Sequence, residues 1–434
     1  MTGTAASLVG EVWRALGADD AAVLRVLGRT GLGGPLPVPA LALGSVAAQL
    51  LAARALAGKS AGPLELDAVH VGLAFRSERY ARLDGRSVGL GFAPLSRFWR
   101  TADGWLRLHG NYPHHREAAL HVLGEDVAEA ALQWSSEDLE TAVVEAGGAA
   151  AAVRTPTEWS AHPQGWAVAD QPLLTLRRTA DGPIRRGQPH GLRVLDLTRV
   201  IAGPVATRTL ASHGADVLRV DGPRFPDHRD GLLDTGSGKR HVTVDLASAE
   251  GRRTVEELLA GADVVVQGYR PGALDAFGLD PSALAERHPH LVVVWLSAWG
   301  VTGPWGRRRG FDSLVQAATG IAVVSGTRSE PGALPAQALD HATGHLAAAV
   351  VLGALRRRRT EGGGWLGELS LAQTAQWLLR AGPGTEEVTD PPDPSPYLLD
   401  LPSERGGVTV IGPPGSPPWR AAAELPPTSR PVWR

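Results

Sequence analysis

The sequence predicts an α/β protein: a doubly wound, mostly parallel sheet with a small α+β domain beside it. Three observations lead there. Residues 191–221, GLRVLDLTRVIAGPVATRTLASHGADVLRVD, run through an apolar stretch, a Pro-bearing turn, a helical stretch ending at Gly214 and a second apolar stretch, a βαβ pattern. Strand and helix signals keep alternating from residue 241 to about 370, as a parallel sheet with crossover helices requires. Between 91 and 180 the texture differs, with two β-like runs around Asp103-Gly104, a hairpin signal.

Taken in order, 8–16 and 21–27 read as short helices around an acidic break at Asp19-Asp20. Residues 36–57 read as a strand end and an Ala-rich buried helix, followed by a strand at 64–67 and a helical run to Phe75. After the hairpin come helices at 116–123 and 136–145, then a polar Gly/Pro-rich linker at 180–191, the best internal boundary. Beyond the βαβ unit, strands are expected at 241–246, 264–267 and 291–296. Helices are expected at 248–259, with Ser248 at its start, and at 271–277, 281–287, 312–319 and 341–357. The Pro-rich tail from 382 suggests a hairpin at Gly406-Gly407 and loosely ordered last residues.

Composition narrows the function classes. The 434 residues suffice for two or three domains with a sizeable core. A net charge of −2 gives no electrostatic case for nucleic acid or an anionic membrane. Cys is absent, which excludes disulfides, thiolate chemistry and Cys-based zinc sites. No basic start leads into an apolar segment, and no apolar run of about 18 residues occurs. A cytoplasmic protein is the expectation.

The chain also repeats itself. LPVPALA at 36–42 matches LPAQALD at 334–340, and each precedes an Ala-rich helix and a Glu-Leu strand, Glu65-Leu66 and Glu368-Leu369. The match sets Ala42 opposite Asp340, so only the second copy carries a carboxylate there.

Six stretches in this order, VLDLTRVIAGPVATRTLASHGADVLRVD, GKRHVTVDL, ADVVVQGYRPGALDAFGLD, SAWGVTGP, GFDSLVQAATG and ALDHATGHLAAAVVLGALRRR, carry a family likeness. Together they resemble the family III CoA-transferases, the group of formyl-CoA and carnitine CoA-transferases and alpha-methylacyl-CoA racemases. FWRTADGW and TPTEWSAHPQG resemble the second half of the same fold, here placed first. The resemblance implies a Rossmann-like CoA-binding domain at 186–385 and a second-half repeat segment without the catalytic Asp at 1–90. It also implies a small α+β domain at 91–180 and a Pro-rich end at 386–434.

The chemistry implied is transfer of CoA from an acyl-CoA to a carboxylic acid. Asp340 matches the nucleophile, which attacks the thioester to give a mixed anhydride and then an aspartyl-CoA thioester. A carboxylate is a poor nucleophile made competent by proximity, ionisation and desolvation, and a helix N-terminus favours its charged form. An Asp at such a place would otherwise read as an ordinary N-cap. For CoA, the resemblance points to Ile201 and Ala202 at the βαβ turn, Val244 and Asp245 beside the adenine, and the loop Gly268-Tyr269-Arg270. Arg309 matches a basic position near pantetheine or phosphates. Lys239 lies in a Gly-flanked loop suited to phosphate, and Arg224 is placed to take over a cation usually found just after Asp221.

Two rival readings belong beside this one. A racemase needs a second acid/base group, and the family's Gly-His-Asp motif here reads GFD, with Phe311 in place of the His. A non-catalytic CoA-binding protein is the other. His341 and His345 stand at i, i+4, but no third ligand or HExxH accompanies them, so no metal site is expected. No cofactor beyond the CoA thioester substrate is implied. The partners implied are acyl-CoA, a carboxylic acid and a second copy in a homodimer.

Overall fold

In the computed structural model, residues 2–18, 23–59, 62–88, 91–184, 191–224, 227, 229–403, 406–424 and 429–434 are described. The first strand of the expected βαβ unit, Arg193–Leu197, is the third strand of a seven-stranded sheet, beside its middle one. The chain builds outward from it to Asp216–Asp221 and Arg240–Thr243, all parallel. It then crosses to the other side and adds Val264–Gln267, Val292–Ser297 and Gly364–Ser370, also parallel. Strands reading Val-Leu-Asp-Leu and Val-Val-Val are buried on both faces, as crossover helices dictate. The reversal between Arg193–Leu197 and Val264–Gln267 leaves a crevice at their carboxyl ends, the place where such sheets bind ligands.

The seventh strand, Leu174–Ala180, runs antiparallel against Gly364–Ser370. It comes from the chain before the expected linker, so one sheet joins both sides of that boundary. Half of the linker, 185–190, lies outside the described residues, and so do Asp19 and Asp20.

The N-terminal region differs from expectation. One helix spans Thr2–Ala15, and Leu24–Leu27 is a strand, not a helix, paired in parallel with Leu64–Asp67. A run of four apolar or long side chains satisfies either period, and the partner strand decides. The repeat thereby extends over four elements. Strand, long helix Val38–Leu56, parallel strand Leu64–Asp67 and short helix Ala68–Ala74 mirror Val292–Ser297, Ala338–Glu361, Gly364–Ser370 and Leu371–Arg380. Each short helix is capped by the strand's last residue, Asp67 onto the amides of Val69 and His70, Ser370 onto that of Gln373.

The two long helices pack against each other at the centre of the largest core. By length and mean hydropathy, 1.4 and 1.3, both would suffice to cross a bilayer, contrary to the expectation that no apolar run of about 18 residues occurs. Their apolar surface is instead buried inside the fold. Helix Ala338–Glu361 also crosses Ala202–Ser212 so closely that a Cβ on Gly344 would stand 2.5 Å from the Ala202 carbonyl oxygen.

Strands Phe98–Arg100, Trp105–Leu108 and Ala150–Ala152 form an antiparallel sheet with its own core under helices Pro113–Leu123 and Ser136–Glu145. The Ala-only third strand carries no β signal and is fixed by its neighbours. Short helices at Pro156–Ala161, Pro163–Ala169 and Arg229–Thr235 also went unread, and only a 3₁₀ turn at Asp275–Phe277 stands in the expected helix 271–277. The tail hairpin forms as Leu398–Leu401 against Val408–Ile411. The last residues are packed, contrary to expectation: the Trp433 indole donates to the Leu258 carbonyl at 3.0 Å, and Arg240 holds the Val432 carbonyl at 2.7 Å. This covers the open edge at Arg240–Thr243, a place sheets commonly protect.

Candidate active site

The carboxyl ends of the two central strands open into a cleft of about 220 Å3. Its wall includes the turn at Arg199, Val200, Ala202 and Gly203, the loop Gly268-Tyr269-Arg270, the stretch 308–311, and Asp340. Tyr112, His114 and His115, from the far N-terminal part of the chain, close another side.

The turn is held in an unusual shape. Val200 has φ of 69°, a left-handed conformation that a β-branched residue adopts only under constraint. Buried Asp227 supplies the constraint: it accepts from the Val200 amide at 3.2 Å, the Tyr112 hydroxyl at 2.7 Å and Arg219 at 2.8 Å. Burial works against the Asp227 charge, but Arg219 and Arg199 hold its carboxyl well below the usual range. Burial, then the Asp227 carboxylate, pushes the Tyr112 hydroxyl up, against the opposing charges of Arg199 and Arg219. Beneath the turn, Asp196 accepts from the Thr198 amide at 3.0 Å, from Thr207 at 2.6 Å and from the Lys239 ammonium at 3.0 Å.

Asp340 is the third residue of helix Ala338–Glu361 and only 5 % exposed. Asp312, fully buried, accepts from the amides of Leu339 at 2.9 Å and Asp340 at 3.0 Å through one oxygen, and bonds Gln316 through the other. A remote carboxylate thus caps the helix and fixes where Asp340 projects. Burial, then the charges of Asp312 and Glu78, push the Asp340 carboxyl well above its usual range. Burial lifts Asp312 to about 6. Two carboxylates this close titrate as a pair.

Positive charge lines the same cleft. Arg270 is exposed, and Arg309 is half-buried, its pKa lowered by burial and by the neighbouring Arg270. Arg199 stacks over the Tyr112 ring at 4.9 Å. Burial, with His114, Arg309 and Arg199, brings His115 down to about 3, so it is neutral at physiological pH.

Of the residues expected at the site, Asp340, Ala202, Gly268, Tyr269, Arg270 and Arg309 meet around this cleft. Ile201 lines a smaller adjoining cavity. Lys239 does not face a phosphate loop: it is buried, bridges Asp196 and the Pro204 carbonyl, and burial lowers it to about 8. The Val244 side chain is turned into the core, leaving only backbone to a ligand. Asp245 is exposed and accepts from the Ala247 amide in the turn before the next helix. Arg224 is exposed beyond the cleft wall. The sequence reading missed Tyr112, His114, His115, Arg199 and Arg308, since nothing local to NYPHH says which distant loop it meets. His341 bonds Glu78 at 3.3 Å, and the Phe75 ring lies against both His341 and His345. Among the described residues, no group of three metal-binding side chains occurs.

Comparison with known proteins bears on the same segment. Residues 190–396 match the profile of CoA-transferase family III. The chain is 36% identical over 186 residues to the probable fatty acyl-CoA transferase Rv3272 of Mycobacterium tuberculosis, covering 40% of this chain and 47% of that protein. It is 35% identical over 185 residues to the succinyl-CoA:glutarate CoA-transferase of Mus musculus, covering 39% and 42%. The crystal structure of Rv3272 aligns over 44% of this chain and 56% of that one, with 34% identity and a TM-score of 0.42. The chain therefore spans about half the length of the curated relatives it matches. The family segment supplies Asp340, the turn and the arginines, while Tyr112, His114 and His115 come from outside it.

Proposed function

We propose that the chain is a CoA-transferase that moves CoA from an acyl-CoA to a carboxylic acid, with Asp340 as nucleophile. One observation carries this reading: a buried carboxylate at a helix start lines a cleft at the sheet's switch point that Arg270 and Arg309 also line. The cleft suits a long anionic thioester. The phosphates lie toward Arg270 and Arg309, where the charge of two arginines crowded together calls for an anion. The thioester then reaches Asp340.

The Asp340 carboxylate attacks the acyl carbon, forming an acyl–aspartyl anhydride and expelling CoA thiolate. The thiolate attacks the aspartyl carbon, releasing the donor acid and leaving aspartyl-CoA. The acceptor carboxylate attacks that thioester, forming a second anhydride and freeing thiolate, which attacks the acceptor's acyl carbon. New acyl-CoA leaves and the Asp340 carboxylate returns. Exclusion of water protects the anhydrides from hydrolysis. The sequence of steps uses no metal or redox group. Cytoplasmic location and a homodimer remain part of the proposal, the latter checked by light scattering in solution.

Turnover of a panel of acyl-CoA donors and carboxylate acceptors tests the reading. Transfer by the wild type and a loss of roughly 10³-fold or more in Asp340→Asn, with CoA still bound, is expected. Full activity in the variant overturns it. CoA binding without turnover would mark a binding protein. His114 and His115 on the cleft wall favour one competing reaction, exchange of the α-proton of a bound acyl-CoA. Deuterium uptake at that carbon in heavy water, without CoA transfer, would establish it.

A further inference from the structure

Glu78 is a buried carboxylate that the reaction steps do not use. It lies in the 3₁₀ turn Ser77–Arg79, which follows the short helix Ala68–Ala74 of the first repeat copy, and it is only 6 % exposed. The turn grips the chain on either side of Asp340. Arg76 and Arg79 donate to the Pro335 carbonyl at 3.3 and 2.9 Å, just ahead of the helix that carries Asp340. Glu78 Oε2 lies 3.3 Å from Nε2 of His341, the next residue after Asp340, and the Phe75 ring stacks on that imidazole at 5.3 Å. Burial works against the Glu78 charge, but the bond to His341 holds its carboxyl below the usual range, so the imidazole is the donor. Ser77 ties the turn down, donating to Asp234 at 2.8 Å and accepting from Arg208 at 3.0 Å.

Stability alone does not call for such a pair, since burying a carboxylate is costly and apolar side chains of similar volume would pack at least as well. Its neighbours indicate what it does. The charged groups facing Glu78 are His341, Arg76, the exposed Arg79 and Asp340. His341 in turn faces Asp312 and His345. Asp340 therefore feels two carboxylates, Asp312 from within the matched segment and Glu78 from outside it. Negative neighbours make a carboxylate more basic, and a more basic carboxylate attacks faster once ionised. The first copy has Ala42 where the second has Asp340, yet it brings a carboxylate to the second copy's site.

We infer that Glu78 is a positioning residue for Asp340: through His341 it fixes the first turn of the helix, and its charge makes the Asp340 carboxylate a stronger nucleophile. The inference rests on the transferase reading and deepens it by naming what tunes the nucleophile.

The test follows the Asp340 carboxyl directly, by carbon-13 NMR of protein labelled at the aspartate side-chain carboxyls, its signal assigned by its loss in Asp340→Asn. Glu78→Gln keeps an oxygen for the His341 N–H and removes the charge. The Asp340 midpoint should fall by about one pH unit. The low-pH limb of the transfer rate should move with it, and the plateau at high pH should drop a few-fold. A purely structural role would lower the plateau and leave both midpoints in place, and that result overturns the inference. So does an Asp340 midpoint that rises, or one already in the ordinary carboxylate range in wild type. Should Glu78→Gln not fold, Glu78→Asp decides, because it draws the charge back by one methylene: a smaller fall in the midpoint supports the inference and an unmoved one overturns it. If no acceptor turns over, the transferase reading fails, and the NMR titration still decides whether Glu78 sets the ionisation of Asp340.

Discussion

Asp340 and Asp312 show how a few buried charges set this site's chemistry. Both carboxyls are raised by burial, so the folded protein holds their protons more tightly than the unfolded chain. The stability they contribute is full at low pH and is lost as pH rises through their folded pKa values, for Asp312 between about 4 and about 6. Asp340→Asn is therefore expected to melt higher than wild type at pH 7.5, by about 1 kcal/mol, while losing activity. Differential scanning calorimetry reads this, and a lower melting point would count against a raised Asp340. Attack requires the ionised form, so transfer increases with pH through the Asp340 titration. Asp312→Asn keeps an oxygen for the two helix amides and removes a negative neighbour. Its pH–rate profile should shift to lower pH by about one unit, and an unmoved profile would show that Asp312 does not tune the nucleophile.

At the scale of elements, the contact between helices Ala202–Ser212 and Ala338–Glu361 decides how far the turn at 199–203 sits from Asp340. Gly344 is the contact point, with the Ala202 carbonyl and Val205 at less than ordinary contact distance from any added Cβ. Alanine raises helix propensity by about 1 kcal/mol, but overpacking costs about 1–3 kcal/mol. Gly344→Ala should thus destabilise the fold modestly and weaken CoA binding more than it weakens the fold, measured by denaturant titration beside CoA titration. Unchanged CoA affinity would mean that this helix crossing does not place the turn. The βαβ unit and its following strands were legible because apolar period, Pro and Gly all agree locally. The short elements at Ala150–Ala152 and Leu24–Leu27 were not, since their partners in the sheets, rather than their own residues, make them strands. Lys239 was misjudged for a related reason: a Gly-flanked lysine looks solvated until Asp196 is seen beneath it.

Across the whole molecule, a single core joins residues of the first helix, both long repeat helices and the large sheet. The cleft likewise draws Tyr112, His114 and His115 from before the family segment and Asp340 from within it. The sequence announced the second set by motif and could not announce the first, because their function depends on a tertiary meeting. Separating the halves should therefore destroy both fold and site. A 191–434 fragment would expose the apolar flank of helix Ala338–Glu361 where Val38–Leu56 packs. It is expected to aggregate or lack a cooperative transition by calorimetry, whereas the whole chain unfolds with its core as one unit. A soluble fragment that binds CoA would show that the N-terminal half is dispensable.

The central claim is that Asp340 bonds covalently to its substrate. Its most direct test is intact-protein mass spectrometry with peptide mapping after incubation with acyl-CoA donors and no acceptor. The account predicts a mass increase corresponding to aspartyl-CoA or the acyl group, confined to the peptide containing Asp340 and missing in Asp340→Asn. An adduct on another residue, or transfer between substrates with no adduct on Asp340 at any stage of turnover, would contradict it.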